Sequence, residues 1–415
     1  MRDGWTETTL GDVVELGKGG AWGADEMEPN RVEAICLRGT DLADLIDKKH
    51  PEAPVRWLTP TELKKAVCAP NMVLIETSGS KCGRSVVLTS EMLSGFALPV
   101  VYSNFCRTLR IDTRLLSSRY VEMWFSHMYE VGVIPSYRAT SAMPNLDVKS
   151  LLRMETIAVP PLAEQKRIVD VVSSVDNYID VMQQQVDTAR TARKAVLHSI
   201  CDAITSKFPL VDLNKKAEIT DCEHKTAPET VIEHFYGFSI GTRDIRNGRI
   251  LYHQAKKVSR DTFDSWSKRR LLKQGDLIYS REAPVGQIGY VDGSFPVCLG
   301  QRTVAISTKP VVLDSKFLSY WLDGTTVVNW ISARSVGITV AHLNVADIKN
   351  IPIPDGITLG EQEDVVLLLS SMDDVIQSTE QAVVDAKNLR SGLLSDLLSG
   401  EHEIPASYDS LLGAA

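Results

Sequence analysis

The chain has 415 residues, of which 44% are hydrophobic and 24% charged, and its formal net charge at pH 7 is −8. A chain of this length is too long for a single hydrophobic core, so we expect two or more globular domains. The composition is that of an ordinary globular protein, with no apolar run of about 18 residues and no signal-peptide character at the start. The sequence therefore predicts no membrane span and a cytoplasmic location.

The first 159 residues have the pattern of a mixed domain. Short β-rich runs such as 72–75 and 85–88 are bounded by Gly, Pro, Ser and Asn, and a helical pattern covers 118–129. We therefore predict an α+β domain for 1–159. Its many loops are the segments in which binding specificity can vary.

A long periodic segment follows Pro160-Pro161. Apolar or small residues recur at spacings of three, four or seven from Ile168 to Ile200, which describes one face of a helix. Proline suits a first helical turn, and the negative charge of Glu164 complements the helix dipole. The sequence predicts a helix from about residue 162 to 205, within a linking segment at 160–206.

The second half of the chain has the same organisation. A second α+β domain is predicted for 207–357, from β-rich runs at 276–279 and 303–306 and a helical pattern at 315–322.

A second long apolar stripe then covers 358–400, where Gly400 is a natural stop before a tail at 401–415. Helices of about 40 residues would be on the order of 60 Å long, which exceeds what one domain needs. We predict that the two helices pack on each other as an antiparallel coiled coil that spaces the domains. The alternative is that each helix only covers its own domain.

The two halves are copies of one another. Glu164 matches Glu361 and Asp176 matches Asp373, both at an offset of 197 residues, and further upstream the offset is 203, where 40–42 matches 243–245. A period this long indicates a duplicated domain with its linker, because solenoid repeats are much shorter. Two similar halves suggest two similar tasks.

Net negative charge argues at first against a nucleic-acid partner, because phosphate binding usually leaves a basic footprint. The charge is unevenly distributed, however. Residues 243–281 carry eleven Lys and Arg against four Asp and Glu, whereas the stretch from 358 onward is strongly acidic. Nucleic-acid binding therefore remains compatible with the sequence.

Neither a metal site nor an active site is indicated. The seven cysteines occur singly, which fits a reducing compartment, and Cys222-Glu223-His224 lacks the second ligand pair that a zinc site needs. There is no phosphate-binding loop and no base-flipping Asn-Pro-Pro-Tyr motif, and the isolated Glu62-Leu63-Lys64 reads as a solvated helix face. We expect no catalysis by this chain.

Several motifs resemble one family. VPPLAEQKRI at 159–168 before the long helix, LRSGLLSDLLSG at 389–400, GDLIYSR at 275–281 and EITDCEHKT at 218–226 resemble the specificity (S) subunit of type I restriction-modification systems. The resemblance covers the whole chain in the order domain, helix, domain, helix. The first copy departs from it at Met72-Val73, which stands where the second has Gly275-Asp276, and the second helix lacks the Pro-Pro start.

The resemblance implies a non-catalytic scaffold. Each target-recognition domain would read one half of a bipartite sequence in double-stranded DNA, and the two helices would fix the unread gap. Two methyltransferase (M) subunits would dock on the chain and restriction (R) subunits can join. S-adenosylmethionine, ATP and Mg²⁺ would be bound by these partners, and this chain would bind no cofactor.

Candidate DNA contacts are loop side chains that can reach base edges or phosphates. They are Lys18, Arg38, Lys81, Arg84, Tyr137 and Arg138 in the first domain and Lys225, Arg243, Arg246, Lys268, Arg269, Arg270, Arg281, Gln287 and Arg334 in the second. For each of them a solvated salt bridge is an equal alternative, although the cluster 268–270 favours phosphate contact.

Four further residues occupy matching positions in the two halves. Gly83 and Gly286 are expected in tight turns, and Trp124 and Trp321 in the core.

Two other classes of function stay open at this point. A self-contained DNA-modifying enzyme with a divergent site would bind S-adenosylmethionine or cleave DNA by itself. A coiled-coil protein-interaction adapter would fit the acidic balance and would show no preference among DNA duplexes.

Overall fold

The computed structural model describes residues 4–140, 144–282, 284–334 and 342–412. The chain divides into two compact units. Unit 1 consists of Met1–Val181 with Ala382–Ala415, and unit 2 consists of Met182–Gln381. No helix in the described ranges has the length and apolar character needed to cross a membrane.

The described part of unit 1 contains nine strands and the shorter helices of the first half. The strands are β1 (Thr6–Thr9), β2 (Val14–Gly19), β3 (Val32–Leu37), β4 (Val55–Leu58), β5 (Val73–Glu76), β6 (Ser85–Val87), β7 (Val100–Tyr102), β8 (Cys106–Ile111) and β9 (Thr156–Val159). The helices are α1 (Leu10–Val13), α2 (Gly39–Ile46), α3 (Pro60–Ala66), α4 (Ser90–Ser94), α5 (Ser118–Glu130), α6 (Val133–Ser136), α7 (Val148–Met154) and the first part of α8 (Leu162–Lys207).

Unit 2 repeats the order of the main strands with differences in the connections. Its strands are β10 (Leu210–Asp212), β11 (Ala217–Asp221), β12 (Gly237–Ile240), β13 (Ile245–Arg246), β14 (Arg249–Ile250), β15 (Lys256–Val258), β16 (Leu277–Ser280), β17 (Ile288–Tyr290), β18 (Val297–Leu299), β19 (Thr303–Thr308) and β20 (Pro352–Pro354). Its helices are α9 (Arg260–Trp266), α10 (Ser315–Asp323), α11 (Thr325–Arg334), α12 (Val345–Lys349) and the first part of α13 (Leu359–Ser399), and α14 (Asp409–Leu412) follows in unit 1.

The sheets of the two units have the same topology. Unit 1 has a four-stranded sheet β2-β8-β5-β6, a three-stranded sheet β4-β3-β7 and a pair β1-β9, and unit 2 has β11-β19-β16-β17, β15-β12-β18 and β10-β20 in the same roles. Among the described residues, the small hairpin β13-β14 occurs in unit 2 alone. The predicted duplication and the predicted α+β class are thus confirmed.

The change of offset between 203 and 197 has a local cause. In unit 1, β6 and β7 are separated by the twelve residues 88–99, which include α4. In unit 2, β17 and β18 are separated by only the six residues 291–296. The difference of six lies in one surface connection, and such changes in loop length are easily accommodated.

The two long helices pack together within each unit. In unit 1, Ile168 and Val172 of α8 share a core with Leu394 and Leu397 of α13. In unit 2, Leu197 and Ile204 of α8 share a core with Leu369 of α13. The ion pairs run antiparallel, since Arg193 bonds Asp373 whereas Lys207 bonds Glu361. The alternative that each helix covers only its own domain is therefore wrong.

Each unit has a core beside the long helices and a second core at its three-stranded sheet, and unit 2 has a further cluster around Val258, Phe263 and Cys298. The one beside the long helices contains the aromatic residues of α5 or α10, and the predicted anchors Trp124 and Trp321 are buried there, at 3% and 1% exposure. The second core lies at the three-stranded sheet, around Cys36 in unit 1 and Phe238 in unit 2. All seven cysteines are free.

A buried glutamine attaches the start of each long helix to its unit. Gln165, fully buried, donates its Nε2 to the carbonyls of Leu115 and Pro160 at 2.6 and 2.8 Å, and its Oε1 accepts from Ser117 N at 2.8 Å. Gln362, also fully buried, makes the corresponding bonds to residues 312, 357 and 314. All four matched positions differ by 197. The repeat therefore preserves individual hydrogen bonds.

We expect Gln362→Leu to lower the free energy of unfolding by about 2–4 kcal/mol, because two carbonyls and one amide lose their partner in a buried site. Denaturant unfolding of the purified chain measures this. The control Gln184→Leu changes an exposed residue of α8 and should stay within about 0.5 kcal/mol of the parent. Equal losses in the two variants would contradict the role assigned to Gln362.

Candidate nucleic-acid interface

Three strand ends meet at one edge of the four-stranded sheet in unit 1. Gly19 at the end of β2 lies opposite Arg107 of β8, and Glu76 at the end of β5 lies opposite Cys106. The connection from β5 to β6 projects from this edge. We call this region, residues 18–20, 76–84 and 103–107 with Arg138, the unit 1 edge.

Backbone and side-chain bonds hold the turn of the unit 1 edge. Arg138 Nε donates to the carbonyl of Cys82 at 2.9 Å, and the Tyr129 hydroxyl donates to the carbonyl of Lys81 at 3.2 Å. Leu146 N donates to Thr77 O at 2.9 Å. The turn also requires Gly83, whose φ of 107° is disfavoured for residues with a side chain. The turn predicted at this glycine is confirmed.

Several candidate residues of unit 1 are engaged in the fold. Arg38 forms a bidentate pair with buried Asp41, at 2.8 and 2.9 Å, and Arg84 donates to Glu76 at 2.7 Å and to Gly39 O at 2.9 Å. Arg138 also lies over the ring of Tyr129, at 5.1 Å from its centroid.

Tyr137 donates its hydroxyl to Glu155 at 2.5 Å, and this hydrogen bond raises the pKa of Tyr137 to about 12.

Lys18 and Lys81 are different, because their side chains are exposed and no ion pair involves them within the described part of unit 1. Among the candidates of unit 1, the arginines are therefore bonded to neighbouring residues of the fold, whereas the two lysines are exposed to solvent.

The corresponding edge of unit 2 is assembled from the equivalent strands. Asp221 at the end of β11 lies opposite Val304, and Ser280 at the end of β16 lies opposite Thr303. We call residues 221–226, 280–282, 284–287 and 300–303 with His342 the unit 2 edge. Gly286, the turn glycine of this edge, has φ 86°, as its match to Gly83 of unit 1 led us to expect.

Gln301 fastens the loop after β11 to the unit 2 edge. Its Nε2 donates to the carbonyl of His224 at 3.1 Å and its Oε1 accepts from the Thr226 hydroxyl at 2.9 Å. Arg281 is nearly buried, with its side chain 8% exposed, and lies 3.7 Å from Asp221. Its Nε has no hydrogen-bond partner among the described residues. A buried donor of this kind is available for an acceptor that enters the edge.

The basic cluster 268–270 is partly engaged in ion pairs. Arg269 donates to the carbonyl of Cys222 at 2.9 Å and pairs with Glu223 at 3.1 Å, which places it beside the unit 2 edge. Arg270 pairs with Glu218 at 2.7 Å. Lys268 is exposed and is in no ion pair found in the described residues.

The remaining candidates of unit 2 fall into two groups. Arg334 lies over the ring of Trp330, at 3.7 Å from its centroid, and Gln287 is half-buried in the β16-β17 turn. Lys225, Arg243 and Arg246 are exposed, and none is in an ion pair found in the described ranges. The structure therefore brings Lys225, Arg269, Arg281 and Gln287 to one edge.

Sequence reasoning missed Phe105 and Arg302, which occupy equivalent positions just before β8 and β19. Phe105 is 40% exposed. Arg302 has φ 65° and pairs with Glu282 at 2.9 Å, and Glu282 also contacts His342 at 3.2 Å. The signal that could have found them is their offset of 197 at the start of matched strands. The same place in the fold thus carries an aromatic ring in one unit and a guanidinium in the other.

Two features bear on chemistry at these sites. Asp221 joins Cys222 and His224 so that their ligand atoms lie within 4.8 Å of one another. Cys222, however, is 2% exposed and packs in an apolar core, and the Arg281 guanidinium already accompanies the Asp221 carboxylate. Burial raises the pKa of the Cys36, Cys106, Cys201 and Cys298 thiols to about 12, so these cysteines are not thiolate nucleophiles at neutral pH.

The chain matches the family model for the type I restriction modification DNA specificity domain over residues 2–189 and 217–385. It is 23% identical over 333 residues to the type I restriction enzyme EcoBI specificity subunit of Escherichia coli, covering 71% of this chain and 68% of that protein. It is 20% identical over 356 residues to the MjaVIII specificity subunit of Methanocaldococcus jannaschii, covering 81% and 80%.

Solved structures share the fold. The S subunit of a type I restriction-modification system from M. genitalium aligns with a TM-score of 0.53 at 14% identity, over 95% of this chain and 96% of that one. A chain from a structure that addresses complex assembly and conformational transition of the type I restriction-modification system aligns with a TM-score of 0.59 at 14% identity, over 96% and 98%.

Two α+β units that share two long packed helices and carry basic loops at equivalent sheet edges define a non-catalytic DNA specificity protein. The chain belongs to the type I restriction modification DNA specificity domain family, whose two matched segments cover both of its halves.

The matched glycines allow a sharp test of the two edges. Gly286→Ala should cost about 1–2 kcal/mol because of its positive φ alone, since the nearest atom to an added Cβ would be Ile331 Cδ1 at 3.5 Å. Gly83→Ala should cost more, because the added Cβ would lie 2.6 Å from Ile134 Cγ2. Denaturant unfolding of both variants compares them. A loss for Gly286→Ala as large as that for Gly83→Ala would contradict this description of the turns.

Proposed function

We propose that the domains at 1–159 and 207–357 are target-recognition domains, each reading one half of a bipartite sequence in double-stranded DNA. The helical segments at 160–206 and 358–400 set the unread gap, and 401–415 is a tail. One observation carries the proposal: the same strand ends and loops recur in both units, and their side chains differ at equivalent positions such as Phe105 and Arg302. A repeated frame with different surface chemistry suits two half-sites of different sequence.

The candidate residues support readout and affinity in different ways. Arginines held by neighbours, such as Arg84 and Arg281, fix the geometry of the edges. Arg84 donates to Glu76 and to Gly39 O, whereas Arg281 keeps an Nε without a partner among the described residues, which suits one acceptor such as a guanine edge. Exposed lysines such as Lys18, Lys81 and Lys225 are compact, mobile charges, which suit phosphate. Both kinds lie at the proposed DNA-facing edges.

Two methyltransferase subunits are the proposed partners. Exposed apolar side chains recur on the long helices at matched positions. Leu162 and Leu359 are 46% and 44% exposed, and Tyr178 and Val375 are 61% and 60% exposed. Large exposed apolar residues in matched pairs suit two copies of one partner. In this proposal the partners bind S-adenosylmethionine, restriction subunits add ATP- and Mg²⁺-dependent functions, and the complex works in the cytoplasm.

The function is tested by expressing the chain with the methyltransferase subunit encoded next to it. We expect the two to co-purify with two methyltransferase subunits per chain and to methylate a bipartite sequence, which genome-wide methylation mapping identifies. The chain alone should neither methylate nor cleave DNA. Methylation by the subunit without this chain, or no complex between them, would reject the proposal.

The unit 1 edge is tested by the double variant Lys18→Gln with Lys81→Gln in that complex. Affinity should fall for all DNA sequences, and the slope of log K against log salt should decrease by about one for each lost phosphate contact. Binding titrations at several salt concentrations measure both quantities.

A matched control is Lys166→Gln with Lys194→Gln, which removes two exposed lysines of α8. The control should retain the parental slope. The same change of slope in both double variants would show general electrostatics and no specific role for the unit 1 edge.

A further inference from the structure

An arginine of one long helix contacts the other long helix and the adjoining domain at the same time in unit 2. Arg193 of α8 donates its Nε to Asp373 of α13 at 2.6 Å, and its Nη1 donates to Asp323, the last residue of α10, at 3.2 Å. The guanidinium also lies over the ring of Tyr320, 5.5 Å from its centroid, and the Tyr320 hydroxyl donates to Asp373 at 2.9 Å. Three helices therefore meet at one side chain.

Unit 1 has the equivalent arrangement. Arg390 of α13 donates its Nε to Asp176 of α8 at 2.7 Å and its Nη2 to the other oxygen of that carboxylate at 3.3 Å. Its Nη1 donates to Glu130, the last residue of α5, at 3.4 Å. Arg193 and Arg390 differ by 197, as do Asp176 and Asp373, so the arginine and its helix partner belong to the repeat.

The domain carboxylates do not belong to the repeat. The position equivalent to Asp323 is Ser126, and the position equivalent to Glu130 is Val327. Each arginine nevertheless reaches a carboxylate at the C-terminal end of the same helix of its domain. Two unrelated residues thus complete the same three-way contact. This independent agreement suggests that the tie to the domain matters beyond the pairing of the helices.

The environment makes these contacts stronger than ordinary surface pairs. The side chains of Arg193 and Arg390 are only 19% and 15% exposed. Burial by itself lowers the pKa of each arginine, but the hydrogen bond and charge of the aspartate outweigh it, so that the net pKa is raised in both cases. Removing a partly buried arginine leaves its carboxylates without a counter-ion, which is costly.

We propose that Arg193 and Arg390 are positioning residues that hold each target-recognition domain in a fixed orientation on the long helices, and thereby restrict the gap length that the protein accepts. The proposal rests on the function proposed above. A domain of about 150 residues is roughly 35–40 Å across. A tilt of about 5° at its helix contact would move its far side by about 3 Å, close to the rise of one base pair of B-DNA.

The test uses the complex with methyltransferase subunits and duplexes that keep both half-sites but shorten or lengthen the gap by one base pair. The parent should methylate the native gap far faster than the altered gaps. Arg390→Gln and Arg193→Gln should reduce that ratio about fivefold or more. Arg390→Gln should have the larger effect, because Tyr320 still ties α10 to Asp373 in unit 2 and the equivalent residue in unit 1 is Met123.

Two milder variants separate orientation from folding. Glu130→Gln and Asp323→Asn leave both arginines and their helix-to-helix pairs intact and weaken only the tie to the domain. They should relax the gap preference with little change in thermal stability.

The matched control is Arg190→Gln. Arg190 joins α8 to Glu380 of α13 at 2.7 Å and its side chain is 50% exposed, but within the described part of the chain it forms no ion pair with α5 or α10. Its gap preference should remain parental.

Methylation rates that fall by the same factor at every gap length in the arginine and carboxylate variants would overturn the positioning role, as would unchanged ratios. Failure of the proposed function would look different, because the parent complex itself would then show no methylation or no dependence on the gap.

Discussion

The apolar stripes of the two long helices are the constraint on which the structure depends. A helix of 41 or 46 residues has a stripe that must be covered along its length. Each stripe is buried partly against the other helix and partly in a domain core. Leu394, which belongs to the second sequence repeat, therefore lies in the core of unit 1, and Leu197, which belongs to the first repeat, lies in the core of unit 2. The structural units are therefore not the sequence repeats, and each unit needs residues from both. The orientation of each domain on its helices is fixed by the same contacts that stabilise its fold.

Apolar packing alone would let a domain slide along the long helices. Hydrogen bonds and ion pairs between the domain and the helices fix its orientation. The buried glutamines fix the start of each helix against two carbonyls and an amide, and the partly buried arginines fix a point farther along. Hydrogen bonds of this kind have strict geometry, and leaving them unmade is costly. Both links recur at an offset of 197, whereas the surface connections vary. The connection with α4 in unit 1 corresponds to a short loop in unit 2, and the hairpin β13-β14 lies in a different connection of unit 2, between β12 and β15. Preserved contacts between helices and domains, together with variable surface connections, allow the recognised sequence to change while the geometry of the scaffold is kept.

The sequence predicted most of the secondary-structure elements but few of the contacts made by individual residues of the candidate interface. Alternating and helical periodicities placed β5, β16, α5, α10 and both long helices within a few residues, because these elements bury a continuous apolar face. The positive φ of Gly83 and Gly286 followed from their matching positions. The roles of individual arginines did not follow, because they depend on partners that are distant in the chain: Arg269 pairs with Glu223, and Arg390 with Asp176. Arg38 with Asp41, three residues apart at a helix start, and Arg334 with Trp330, four residues apart on α11, had partners that local reasoning could have found.

The distribution of charge bears on how a chain with a net charge of −8 can select DNA. Residues 243–281 carry eleven Lys and Arg against four Asp and Glu, whereas the stretch from 358 onward is strongly acidic. Some of its carboxylates are paired with internal arginines, as in Glu76 with Arg84 and Asp373 with Arg193; each pair is locally neutral and leaves the net charge unchanged. Part of the negative charge of the second long helix is paired with basic residues of the first long helix, namely Arg190, Arg193 and Lys207. In the function proposed above, the edges present to DNA a small number of exposed basic side chains beside arginines that are held by ion pairs. Few free cations give modest non-specific affinity, which is an advantage for a protein that has to discriminate, since specificity is the ratio between specific and non-specific binding.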